Sequence, residues 1–319
     1  MPTDFGFHLI SAKQLYDKKL PKIEYLVDKL IIDHGITYIV GPAASFKTSL
    51  LMDIAIHGAT RSDILGFKIN KPFKTLFIDE ENGEISTKDS LVKILNGSNI
   101  DIKELEPNKL MFATISGFLI IDKHIEVLKE LIKKYQPDLI IIDNIARCFH
   151  GDERNEEDVS KILALLKPIT EEFGTAFVII HHTRKGDAKT LEDISGSRDF
   201  GAQCDNAFLL KQCNKKNSIK TFMIKQLKSK HGLEMDTINF SVEGNDTTLN
   251  VKFAGIASEN IKSEVDKIEL SIMNWIIEDP SNLERHKTGN IIEYSKTLGH
   301  KKTSTTKAIA NLKFRGVLK

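Results

Sequence analysis

The chain has 319 residues, 41% apolar and 28% charged, with only 8 prolines; such ordinary globular usage excludes a disordered, collagen-like or low-complexity protein. Its 45 basic and 44 acidic residues leave a net charge of +1, so bulk charge does not announce a nucleic-acid partner. No apolar run approaches the roughly 18 residues that span a bilayer, and Met1–Gly6 lacks a basic region followed by an apolar one, so neither a membrane span nor a secretory signal is expected. Cys148, Cys204 and Cys213 are odd in number and lack CxxC spacing, which fits reduced thiols of a cytoplasmic protein.

In chain order, apolar runs predict strands at Thr37–Val40, Thr75–Asp79, Leu110–Thr114, Leu139–Asp143 and Ala176–His181. The runs Leu139–Ile142 and Ala176–Ile180 are continuously apolar and rich in β-branched residues, as in strands buried on both faces of a parallel sheet. Between them, helical periodicity is expected at Thr48–Thr60, Ser86–Leu95, Asp122–Tyr135 and Glu156–Phe173. This alternation predicts an α/β fold of βαβ units. Arg184–Gly201 is polar and reads as a long loop, of a length that is usually functional or mobile. Antiparallel strands are then expected at Asn206–Lys211, Thr221–Gln226, Thr237–Val242 and Thr248–Phe253, extending the parallel sheet. Turns at Asn214–Asn217 and Gly244–Asp246 separate some of them.

Ala254–Ser263 reads as a linker, dividing the chain into domains at 1–255 and 262–319. Helices expected at Glu264–Ile277, Gly289–Leu298 and Ser304–Phe314 suggest a helix-turn-helix or winged-helix module. From Lys262 to the end there are eleven basic against seven acidic residues, and from His300 onward six basic and none acidic. Such an end can touch phosphate or form a solvated helix face.

The motifs that carry chemistry sit at strand ends. The strand at Thr37–Val40 runs into Gly41-Pro42-Ala43-Ala44-Ser45-Phe46-Lys47-Thr48-Ser49 and then a helix. Gly41, Lys47 and Thr48 meet the phosphate-loop pattern, and Phe46 stands where glycine is expected. Backbone N–H groups at such a helix start cradle phosphate. Lys47 would reach the β- and γ-phosphates, and Thr48 would ligate Mg²⁺. Asp143, one carboxylate closing a buried strand, is the second expected metal ligand. Glu81 is the candidate for positioning attacking water, with Glu80 the alternative, because ligands bind beyond the carboxyl ends of parallel strands. Adjacent strand residues point to opposite faces, so His181 and His182 cannot share an ion; one of them belongs beside the nucleotide, and alternation favours neither.

Taken in order, Gly41–Ser49, Glu81, Leu139–Asp143, His181–Gly186 and Ser195–Ser197 resemble the RecA-like P-loop ATPases of the RepA hexameric helicase type, relatives of KaiC and RadA. The lead-in Lys22–Leu30 and the segment Gly151–Glu156 share that resemblance, which covers about 20–253. The resemblance implies a RecA-like P-loop fold, ATP with Mg²⁺, and a homo-oligomeric, hexameric ring acting on single-stranded DNA. It implies that Glu81 is the catalytic glutamate and that His182 couples the γ-phosphate to the loop after it. In that loop Lys185, Lys189 and Arg198 would face DNA. Lys228 and Lys230 resemble the Lys-x-Lys element that reaches a neighbour's γ-phosphate, with Arg198 the rival. Three activities follow as expectations: a DNA-acting motor or loader, a nucleotide-switched DNA-binding regulator with little hydrolysis, and a KaiC-like ATPase acting on a protein. Thr303–Lys307, which opens the last expected helix, would meet DNA phosphate or base edges. Leu312–Leu318 resembles a helix-to-wing turn.

Overall fold

The computed structural model describes residues 10–18, 24–149, 151, 156–183, 204–216, 219–231, 234–257, 264–278 and 288–314. Eleven strands and eight helices are described: α1 (Ala12–Asp17), β1 (Tyr25–Val27), β2 (Ile31–Ile32), β3 (Ile36–Gly41), α2 (Lys47–Thr60), β4 (Thr75–Asp79), α3 (Glu84–Ser98), β5 (Leu110–Thr114), α4 (Asp122–Tyr135), β6 (Leu139–Asp143), α5 (Glu156–Phe173), β7 (Ala176–His182), β8 (Asn206–Lys216), β9 (Ile219–Ser229), β10 (Ile238–Gly244), β11 (Leu249–Ile256), α6 (Glu264–Glu278), α7 (Thr288–Thr297) and α8 (Lys302–Phe314). Nine strands form one sheet in the order β11-β10-β9-β8-β3-β7-β6-β4-β5. The six from β8 to β5 are parallel, and β9, β10 and β11 continue antiparallel.

The sheet is covered on both faces, which is why its central strands read as unbroken apolar runs. On β6, Leu139 and Ile141 enter one core with α2 and α3 residues. Ile140 and Ile142 enter the opposite core with α4 and α5 residues. β7 alternates the same way, with Ala176, Val178 and Ile180 on the first face and Phe177 and Ile179 on the second. α4 buries Ile125, Leu128 and Ile132, spaced to form one apolar stripe. α2 buries residues on all sides, including Leu50, Leu51, Ile54 and Ile56, because it lies under the phosphate loop and within the first core.

Strands β4, β5 and β6 and helices α4 and α5 coincide with their sequence-based expectations, and most other elements shift only at their ends. Two expectations need correction. The strand from Asn206 is not purely antiparallel: β8 pairs in parallel with β3 on one side and antiparallel with β9 on the other. The turn expected at Asn214–Asn217 is displaced, because β8 continues through Lys216 and β9 begins at Ile219. Cross-strand pairing over this long polar hairpin overrides its turn-like composition.

Helices α6, α7 and α8 gather around a small core of their own, with Ile268, Ile272, Ile291, Ala308, Ile309 and Leu312. Trp275 stacks on Tyr294 with ring centroids 4.7 Å apart. Thr305, expected on a phosphate-facing surface, is instead buried and bonded to the Ser295 hydroxyl at 2.7 Å. Lys301, Lys302, Lys307 and Lys313 are exposed. The segment 184–203 and the end of the expected wing, 315–319, lie outside the described residues. No helix among the described residues is long and apolar enough to cross a membrane.

Candidate functional site at the carboxyl ends of the parallel strands

The site begins where β3 leaves the sheet. A β-carbon on Gly41 would stand 2.1 Å from the Leu210 carbonyl oxygen, so only glycine lets the loop start this close to β8. The loop then turns through two left-handed residues, Ala44 at φ 58° and Phe46 at φ 74°. Phe46 occupies the conformation for which glycine was expected. Its ring leaves the loop and lies 5.5 Å from that of Phe222 and 6.2 Å from that of Phe240.

Lys47 opens α2 and is buried. Its amine donates to the carbonyls of Gly41 at 3.0 Å and Pro42 at 2.8 Å and to the Ser45 hydroxyl at 3.2 Å. Burial lowers its pKa to about 8, opposed by the charges of Asp143 and Glu81. The next residue, Thr48, donates its hydroxyl to Asp143 Oδ2 at 2.5 Å.

Asp143 closes β6 and is fully buried. Burial pushes its carboxyl up to about 7, with the nearby carboxylates of Asp79 and Glu81 adding to the rise. Its Oδ1 finds no donor among the described residues. An unsatisfied buried carboxylate oxygen beside a threonine hydroxyl is the donor set of a hard divalent cation completed by phosphate oxygens and water. The residues present therefore fit Mg²⁺. Among the described residues no cluster of three or more His, Cys, Asp or Glu is placed to hold a metal by itself.

Register brings the remaining groups together. Gly41 pairs with His182 across β3 and β7, and Asp79 pairs with Asp143 across β4 and β6. His182 therefore sits beside the loop, its Nδ1 3.3 Å from the Lys47 amine. His181 is buried on the other side of the strand end, which resolves the choice that alternation left open. Glu81 lies just beyond β4, and its Oε2 accepts from Asn144 Nδ2 at 2.6 Å. His182 Nε2 is 3.3 Å from Asn144 Nδ2 and 3.6 Å from Glu81 Oε2. A continuous polar chain thus links Lys47, His182, Asn144 and Glu81.

Glu80 is excluded from this chain. Its carboxylate accepts from the Ser116, Gly117 and Phe118 backbone amides, each at 3.0 Å, and from the Ser116 hydroxyl. It anchors the loop after β5.

These groups line a cavity of about 330 Å³, walled by Ala44–Ser49, Asp79, Glu81, Asn82, Asp143 and His182 and, from α3, by Ser86, Thr87 and Ser90. Gly41 and Pro42 contribute carbonyls to Lys47 but do not line it, and neither does Ala43. Lys228 and Lys230 are not in it. β9 runs antiparallel to β8, and Ser229 pairs with Asn206 at the amino end of the parallel strands. Lys230 bonds Asp205 there at 3.0 Å. Lys185, Lys189 and Arg198 lie outside the described residues. Sequence reading missed Asn144 and the α3 wall. Asn144 has a usable signal, as the polar residue directly after the strand-closing aspartate; the α3 wall has none, because its serines and threonine read as an ordinary polar face.

The family model for the AAA domain matches residues 7–188. That interval carries the phosphate loop, Glu81, Asp143, Asn144 and His182. No curated protein matches the chain.

Proposed function

This chain belongs to the AAA domain family, whose members are nucleotide-binding ATPases, and from that premise we propose a RecA-like ATPase that hydrolyses ATP at interfaces of a homo-oligomeric ring and acts on DNA as a motor or loader. One observation carries the reading. Lys47, the Thr48–Asp143 pair and Glu81, held by Asn144, converge on one cavity beyond the carboxyl ends of β3, β6 and β4. A P-loop strand separated from the aspartate-bearing strand by one intervening strand, here β7, supports a RecA-like arrangement.

In this mechanism Lys47 exchanges its loop carbonyls for phosphate oxygens and neutralises charge that develops on the γ-phosphoryl group. Thr48 and Asp143 are the residues that would hold Mg²⁺, whose chemistry when bound is to neutralise β- and γ-phosphate oxygens. Glu81 orients water for in-line attack, and Asn144 and His182 hold Glu81 in place. His182 also touches Lys47, so it can report the state of the γ-phosphate to the segment that follows it. Lys228 and Lys230 lie at the far end of the sheet from their own cavity and would serve a neighbour's. The exposed lysines of α8 support a DNA-contacting, winged-helix-like role for the helical end.

The test is steady-state ATP hydrolysis across protein concentrations, with and without single-stranded DNA, beside Lys47→Ala. Specific activity should rise with concentration and with DNA and be lost in the variant. ATP binding without turnover would favour a nucleotide-switched DNA-binding regulator. Turnover indifferent to DNA would favour a KaiC-like ATPase with a protein substrate.

A further inference from the structure

Phe46 is a departure from the phosphate-loop pattern with a structural counterpart. Its backbone, at φ 74° and ψ 14°, caps the amino end of α2 with no side-chain hydrogen bond. A non-glycine residue persists in that region only where its surroundings hold it there. Here the surroundings are aromatic. The Phe46 ring lies 5.5 Å from Phe222 and 6.2 Å from Phe240, and those two rings are 5.5 Å apart. Phe222 and Phe240 are buried and directly paired across β9 and β10.

The loop is therefore fastened at two places. Its first residue is wedged against β8 at the Leu210 carbonyl. Its last residue before Lys47 is held by the antiparallel strands β9 and β10, which lie beyond β8 from β3 in the sheet order. Phe46 also lines the cavity, so one side of the residue faces the ligand space while its ring joins the core. Glycine at this position would free the backbone and lose the anchor.

We infer that Phe46 is a positioning residue: the Phe46–Phe222–Phe240 stack holds the phosphate loop in its receptive form and links nucleotide occupancy to the packing of β9 against β10. The inference rests on the nucleotide-binding reading above. It predicts the reverse of what the motif suggests, because restoring the usual glycine should weaken binding.

The experiment is calorimetric titration of the full chain with MgADP for wild type, Phe46→Gly, Phe46→Leu, Phe222→Leu and the Phe46→Gly/Phe222→Leu double variant, each checked for folding by circular dichroism. Phe46→Gly should raise Kd about three- to tenfold, the scale of one lost aromatic pair. Phe46→Leu should fall between. Phe222→Leu, at a residue that does not line the cavity, should weaken binding similarly, and the double variant should bind no more weakly than Phe46→Gly alone. If Phe222→Leu does not fold, Phe240→Leu takes its place in the same cycle. Unchanged or tighter binding by Phe46→Gly overturns the inference, as do effects that simply multiply. MgADP binding absent from wild type itself overturns the nucleotide reading and this inference with it, whereas wild-type binding with inert variants overturns this inference alone.

Discussion

Asp143 and Lys47 each pay for their place in the cavity. Asp143 has its folded pKa raised from 3.8 to about 7 by burial. A carboxyl raised in this way binds a proton on folding between those values, so its contribution to stability is fullest below pH 4 and falls as pH rises to about 7. Lys47, lowered from 10.5 to about 8 by burial, has the opposite sign, and its penalty is fully present below about pH 8. Near neutral pH the empty cavity carries both costs, and a bound phosphate–magnesium pair would relieve both. Asp143→Asn should therefore stabilise the nucleotide-free protein by as much as a few kcal/mol at pH 8, keeping the Thr48 hydrogen bond through the amide oxygen. Thermal melts between pH 5.5 and 8.5 check it: the gain should shrink as pH falls, and a gain constant with pH would point to packing instead. At this scale the sequence located groups that the structure brings together at the strand ends, Lys47 and Thr48 at the start of α2, Glu81 just beyond β4 and Asp143 at the end of β6. It marked Phe46 as a departure from the motif but was silent on its ring partners, which lie in strands formed more than 170 positions later.

Elements transmit these positions. α3 offers Ser86, Thr87 and Ser90 to the cavity and buries only Thr87, Ile94 and Leu95. Its docking depends on Gly97, where an added β-carbon would stand 2.0 Å from the Leu249 carbonyl oxygen of β11. Asn96 bonds the neighbouring Thr247 carbonyl at 3.0 Å. Gly97→Ala would gain about 1 kcal/mol of helix propensity, but overpacking against a backbone atom costs about 1–3 kcal/mol, so a net loss is expected. The readout is a lowered Tm together with weaker MgADP binding, because the wall of the cavity moves with the helix. A raised Tm would show that the helix slides freely over β11. The strand-helix alternation that predicts these elements comes from burial on both sheet faces, which leaves an unmistakable apolar run. The antiparallel hairpins were less legible: β8 and β9 carry many polar side chains, and which neighbour each strand pairs with is decided by partners distant in sequence.

At the scale of the molecule, the Lys-x-Lys element and the cavity occupy opposite ends of one sheet. Lys230 pairs with Asp205, which also accepts from the Ile36 amide at 2.9 Å, at the start of β3. The phosphate loop leaves the other end of β3 at Gly41, about 17 Å away for five further residues at ~3.3 Å each. Lys230 therefore cannot serve its own γ-phosphate, and a role for it in hydrolysis requires a second copy meeting the first head to tail. Its pairing with Asp205 is no obstacle. Lys230 is about half exposed, and an exposed ion pair contributes only about 0–1 kcal/mol, less than a desolvated phosphate contact offers. Mixing separates this arrangement from a purely structural role. Lys47→Ala protomers have a damaged cavity but an intact Lys230, and Lys230→Ala protomers have the converse; each alone should turn over ATP poorly. Combined at equal amounts, random neighbours in a head-to-tail ring place an intact cavity against an intact Lys230 at about a quarter of interfaces, so turnover should recover toward that fraction. The recovery should vanish on dilution below the assembly concentration. A mixture no more active than the average of its two components would leave Lys230 as a surface partner of Asp205 and place the trans-acting charge elsewhere in the chain.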